Sequence, residues 1–283
     1  MVELRAYAKI NIGLQIVRKR DDGFHDIDTV FHRVDVYDTI KLTPAESGVT
    51  IKCDTPTIPT DDTNLCARAA KALLDATGST KGVHILLEKR IPVGAGLGGG
   101  SSDAASVLTG LTELLHLTIS PDELAQIAEK IGSDVPYFLR DGSAYAKGKG
   151  EILSYFELDL PYWIVLVYPG IHISTPWAYG RFEFNPQLPI HNLQKLLLEH
   201  KALPVRWVNS IRNDFEPIVF EAHEEIMRVK EVLYRTGADF ALMSGSGSSV
   251  FGLFRDERYA NECADFFSKR YPTYITQPGW NPA

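Results

Sequence analysis

The sequence predicts an α+β protein of two domains, and three observations carry that prediction. A segment with five glycines among the seven residues from Gly94 to Gly100 runs directly from a strand pattern into a helix pattern. In the C-terminal part the patterns run strand, helix, strand, strand, helix, strand, which is the ferredoxin-like order. Between the two parts, the stretch from Glu157 to Pro161 is polar and proline-containing, and a boundary there divides the chain into residues 1–158 and 159–283.

Taken in order, every even-numbered position from Val2 to Ile16 is apolar or alanine, a period of two that predicts a strand bent at Gly13. Its other face carries Lys9 and Asn11 together, and on pattern alone that is an ordinary solvated strand face. Arg18 to His25 reads as a basic turn, followed by strand patterns at Val30 to Val36 and Thr39 to Leu42. Asp61 to Leu74 reads as a capped helix. Val83, Ile85 and Leu87 alternate as a strand, and Ala104, Val107, Leu108, Leu111, Leu114 and Leu115 fall at helical spacing, with Ser101, Ser102 and Asp103 as N-cap candidates. Another helix spans Pro121 to Ile131 and ends at Gly132, after which Asp134 is placed to cap a helix through Leu139. Further on come a strand at Trp163 to Val167 and a helix at Ile226 to Arg235. Strands at Phe240 to Met243 and Val250 to Phe254, a helix from Arg258 to Tyr271 and a strand at Tyr274 to Thr276 complete the chain.

At 283 residues, 45% of them hydrophobic, the chain has ample material for a core. Its formal charge of −7, with no basic stripe, argues against a nucleic-acid partner and for a small molecule. An acidic protein must meet a polyanion with local groups: backbone amides, a few lysines or arginines, and a metal. Cys53, Cys66 and Cys263 lie far apart without C-x-x-C spacing, so neither a zinc site nor a disulfide framework is expected and a reducing cytoplasm fits. No targeting segment and no apolar run of membrane length is read, so no membrane role is expected.

The segment Pro92-Val93-Gly94-Ala95-Gly96-Leu97-Gly98-Gly99-Gly100-Ser101-Ser102 reads as a phosphate cradle. Without Cβ atoms, glycines let successive backbone N–H groups converge on an anion, and the positive end of the following helix adds to the field. Ser101 or Ser102 is also positioned to reach a phosphate oxygen or its Mg²⁺, with Ser102 the metal-ligand candidate. Gly94, Gly96 and Gly99 satisfy G-x-G-x-x-G, but the early βαβ unit of a dinucleotide site is missing. The chain has no G-x-x-x-x-G-K-[ST], and the H-R-D and D-F-G partners of a protein-kinase glycine loop are missing as well.

Three motifs stand in order along nearly the whole chain: Ala8-Lys9-Ile10-Asn11, the glycine loop, and Leu242-Met243 followed by Ser244 to Ser249. On them the chain resembles the GHMP superfamily of small-molecule kinases. Asp21 to His25, Ile131 to Pro136, Ser174-Thr175-Pro176 and Asn213 to Glu216 resemble its branch acting on a cytidylated methylerythritol, the element Gly132 to Pro136 being the most discriminating. The resemblance implies a ribosomal-protein-S5-domain-2-like α/β domain followed by a ferredoxin-like domain. It also implies ATP and Mg²⁺ as cofactors, and phosphorylation of the 2-hydroxyl of 4-diphosphocytidyl-2-C-methyl-D-erythritol in non-mevalonate isoprenoid biosynthesis.

By that resemblance Asp134 takes the hydroxyl proton and Lys9 stabilises the carboxylate and the developing charge. The loop from Pro92 to Ser102 holds ATP, and Asn64 falls near the adenine, with a helix-cap role as the alternative. Phe24, standing where relatives often carry tyrosine, joins His25 and Tyr179 around the cytidine ring, with Thr175 nearby and Asn11 on the erythritol part. Ser244 to Ser249 supports the phosphate pocket. A kinase for mevalonate or homoserine, or a regulator that binds nucleotide without catalysis, is the alternative; intact Lys9 and Asp134 oppose the regulator.

Overall fold

The period-two pattern at the N-terminus folds into β1 (Val2–Lys19), and every residue from Ala6 to Ile16 is buried. The face carrying Lys9, Asn11 and Gln15 is therefore not solvated as the pattern predicts: these three are 4%, 2% and 0% exposed. Buried polar groups need partners, and that need shapes the site described below. β1 pairs with β2 (His25–Ala45), one unbroken strand where the pattern predicts two.

The structure, a computed structural model, describes residues 1–200 and 204–282. They fall into two units whose segments interleave in sequence: Met1–Ala8, Val36–Ile91 and Gly98–Asp141 form the first, and Lys9–Asp35, Pro92–Leu97 and Gly142–Ala283 the second.

In the first unit β4 (Gly82–Glu88) pairs antiparallel with Thr39–Ala45 of β2 and parallel with β3 (Val49–Cys53). Helices α1 (Leu65–Thr77), α2 (Gly99–Leu115) and α3 (Pro121–Ile131) pack together, and buried Ala69, Ala70, Ala104 and Ala105 let α1 and α2 approach closely. The Ser120–Glu123 capping box starts α3 where the sequence predicts. The helix expected after Asp134 is a single 3-10 turn, Pro136–Leu139.

In the second unit β5 (Ser143–Lys147) joins Thr29–Phe31 of β2 and then β6 (Ile152–Phe156). Through β2 the chain thus holds a six-stranded sheet of order β3-β4-β2-β5-β6, with β1 also on β2. A second sheet contains β7 (Trp163–Val167), β8 (Phe240–Met243), β9 (Val250–Phe254) and β10 (Thr273–Thr276) in the antiparallel order β10-β7-β9-β8. That is the ferredoxin-like arrangement the element order predicts. Helices α4 (Thr175–Arg181), α5 (Leu193–His200), α6 (Glu216–Ala222), α7 (Glu224–Arg235) and α8 (Glu257–Ser268) complete the unit. Ile226, Val229 and Leu233 of α7 and Ala260, Cys263 and Phe267 of α8 enter the core formed on this sheet. Among the described residues no helix is long and apolar enough to cross a membrane.

Candidate active site

In the second unit the first half of the glycine loop lies against β1 and the loop Ser244 to Ser249. Three of its carbonyl groups are taken up by the protein. Ala95 O accepts from Ser249 N–H (3.1 Å) and Leu97 O from Lys9 N–H (3.0 Å). Gly96 O accepts from Ser244 Oγ (2.9 Å) and Lys9 Nζ (3.2 Å). Because a trans peptide points its C=O and N–H in opposite directions, these inward carbonyls turn the Gly96 and Leu97 amides the other way, as an anion nest requires. Gly96 must be glycine: its φ is 78°, and a Cβ there would stand 2.1 Å from the Ser244 carbonyl oxygen.

The Lys9 ammonium donates to Asn11 Oδ1 (2.6 Å) and lies 5.0 Å from the centre of the Phe31 ring. Asn11 Nδ2 donates to Thr29 Oγ1 (2.8 Å), which donates to Gly13 O (2.6 Å). Asn11 N–H donates to Ser244 Oγ (3.1 Å), and Asn213 Nδ2 donates to the carbonyls of Met243 and Gly245, both at 2.8 Å. The third motif is thus tied to the first through side chains. Asn11, expected on the erythritol part, has its carboxamide engaged by Lys9 and Thr29.

The cytidine candidates lie in the same unit. His25 and Tyr179 are stacked, 4.9 Å between ring centres and 20° between planes, and Phe215 stands edge-on to Tyr179. Burial, with Lys19 nearby, lowers the His25 pKa and so favours the neutral ring. Phe24 is 57% exposed, with Lys149 Nζ 5.2 Å from its ring centre. Thr175 Oγ1 is 2.9 Å from Ser246 Oγ, which sets it beside the third motif.

The remaining candidates belong to the first unit. Gly98 caps α2 in the left-handed conformation with no side-chain cap, and the helix begins at Gly99. The expected caps Ser101, Ser102 and Asp103 all lie inside it. The consequence is chemical: among the described residues no side chain claims the first-turn amides of Gly99, Gly100 and Ser101, which a helix leaves without intrahelical partners. Ser102 does not fit the metal-ligand role. It is 2% exposed, and its hydroxyl donates to Tyr7 O at 2.7 Å. Among the described residues no group of three or more His, Cys, Asp or Glu side chains is arranged to hold a metal ion.

Asn64 caps α1: its Oδ1 accepts from Cys66 N–H (2.8 Å) and its Nδ2 donates to Pro59 O (2.7 Å), the geometry of the helix-cap alternative. Asp134, half-buried, lies in the turn between α3 and the 3-10 turn, which Val135 caps without any side-chain bond.

A glycine loop with inward carbonyls that runs into a helix capped by no side chain, in a chain that also carries a ferredoxin-like sheet, defines a GHMP-type small-molecule kinase. The family model for the GHMP kinases N terminal domain matches residues 64–142, and that for GHMP kinases C terminal matches residues 192–273. The 4-diphosphocytidyl-2-C-methyl-D-erythritol kinase of Chlorobium phaeobacteroides is 47% identical over 281 residues, 98% of this chain and 97% of its own. A crystal structure of 4-(cytidine 5'-diphospho)-2C-methyl-D-erythritol kinase superposes with a TM-score of 0.84 at 36% identity, covering 99% of this chain and 100% of that one. Homoserine kinase from Cytophaga hutchinsonii, at 18% identity and a TM-score of 0.68 over 96% of this chain and 94% of its own, shares the fold. The chain belongs to the 4-diphosphocytidyl-2-C-methyl-D-erythritol kinase family, within the GHMP kinases.

Proposed function

We propose that the protein transfers the γ-phosphoryl group of ATP to the 2-hydroxyl of 4-diphosphocytidyl-2-C-methyl-D-erythritol, in the cytoplasm and as a step of isoprenoid precursor synthesis. The observation that carries this reading is the bond from the Lys9 ammonium to the Gly96 carbonyl, which sets a fixed positive charge against a loop built to face phosphate. The amides of Gly94 to Ser101 meet the nucleotide phosphates, while Pro92 and Val93 lead into the loop. Lys9 opposes the negative charge that spreads over the transferred group. Asp134, by its place in the motif Gly132 to Pro136, accepts the hydroxyl proton. An alcohol is far less acidic than an aspartic acid, so the proton moves late, as the bond to phosphorus forms, and Asp134 orients the hydroxyl until then.

Mg²⁺, when bound, would neutralise phosphate charge; among the described residues no group of three or more His, Cys, Asp or Glu side chains forms a cage for it. The cytosine stacks on an outer face of the His25–Tyr179 pair, because rings 4.9 Å apart leave no room for a base between them. Exposed Phe24 is the ring available to the other face of the base, with Thr175 near this cytidine end.

Measured by ADP release, Asp134→Asn and Lys9→Ala are each expected to lose turnover by about 100-fold or more while nucleotide affinity is kept. Near-normal turnover in Asp134→Asn removes the base from the mechanism.

A further inference from the structure

The network beneath Lys9 is longer than the proposed chemistry uses, and the direction of each hydrogen bond in it is dictated. A carbonyl only accepts, so at Gly13 O the Thr29 hydroxyl must be the donor. With its proton spent there, Thr29 Oγ1 accepts from Asn11, and the Asn11 group facing it is the NH₂. The Asn11 oxygen therefore points to Lys9, whose ammonium only donates. The amide orientation is forced from both ends. Gly13, with φ 86°, presents its carbonyl to Thr29. Thr29 is 0% exposed, so no water replaces it.

From this geometry we infer that Thr29 is a positioning residue for phosphoryl transfer, its hydroxyl holding the Asn11 carboxamide and, through it, the Lys9 ammonium. The inference rests on the role proposed above for Lys9. A lysine head on a flexible stem is useful against a developing charge only when held in place, and small misplacements at a reacting centre are costly. Removing the Thr29 hydroxyl leaves a buried NH₂ and a buried carbonyl without their partner, and the carboxamide is then free to turn from Lys9.

The test is steady-state ADP release, with ATP and 4-diphosphocytidyl-2-C-methyl-D-erythritol varied separately, on the full chain and a panel of variants. Thr29→Val is expected to lower kcat by about tenfold with both KM values within about twofold, and Thr29→Ser to restore kcat to within about twofold of the parent. Adding Thr29→Val to Asn11→Ala is expected to cost nothing further, because the residue through which Thr29 acts is gone. If Thr29→Val fails to fold, Thr29→Ala takes its place with the same expected loss. An unchanged kcat in the truncated variant, losses that multiply in the double variant, or a Thr29→Ser as impaired as Thr29→Val each overturn the inference, the last by showing that the methyl group matters. Lys9→Ala inactive with Thr29→Val at the parent rate refutes Thr29 alone; Lys9→Ala at the parent rate refutes the role of Lys9 and the inference with it.

Discussion

Lys9 and Asn11 show how a two-residue spacing acquires meaning only in the folded chain. Their alternation on β1 is legible, yet a solvated face gives the same pattern, and what separates the two readings is burial. Thr29 lies eighteen residues from Asn11 and belongs to no motif, so no sequence signal marks it. A second buried residue carries a pH prediction. His32, its Nδ1 2.8 Å from Ser143 Oγ, is pushed down to about 4 by burial, below the 6.5 of an unfolded chain. Between those values the unfolded chain binds a proton that the native protein does not. Stability is therefore whole above about pH 6.5 and falls as the pH drops toward 4, by up to on the order of 3 kcal/mol. Urea unfolding at several pH values is expected to show that fall in the parent protein and a flatter profile in His32→Gln; equal slopes contradict the assignment.

At the scale of elements, α3, β7, β8 and β9 match the sequence expectation to the residue, because capping, proline and alternating patterns agree locally. β3, β5 and β6 lack the uninterrupted apolar run that marks β7 and β8, and their pairing is set by long-range partners. β2 runs on where the pattern predicts a break, because Asp38, a turn-like residue by type, is neutralised in place. Its Oδ1 accepts from the amides of Arg90 and Ile91 at 2.5 and 2.8 Å, and its other oxygen meets Lys89, which also binds Asp103 at 2.8 Å. The side chains of Lys89, Asp38 and Asp103 are 7%, 0% and 3% exposed. Burial and the like charge of Asp38 hold the Asp103 carboxyl well above the usual carboxylate range, although Lys89 opposes this. The triad ties β2 and the end of β4 to the first turns of α2. Lys89→Met leaves two buried carboxyls without their cation and is expected to cost about 3–5 kcal/mol, read as a fall in Tm. A Tm within a degree or two of the parent value refutes that role.

At the scale of the whole molecule, the ferredoxin-like order and the phosphate loop were legible because each is written in one contiguous stretch. The start of α2 was not, since capping rules look for a side chain and this helix is capped by Gly98, leaving its amides for an anion. The cytidine candidates were legible as residue types, but the direct stack of His25 on Tyr179 was not. Family membership makes the reaction class secure, and the central claim is that this fold phosphorylates a cytidylated alcohol. The direct measurement is ADP release with ATP and Mg²⁺, comparing 4-diphosphocytidyl-2-C-methyl-D-erythritol with methylerythritol phosphate, mevalonate and homoserine. Turnover with the cytidylated alcohol alone, lost in Asp134→Asn, is the predicted result. Turnover with an alcohol lacking cytidine contradicts the claim, and so does turnover with none of the four.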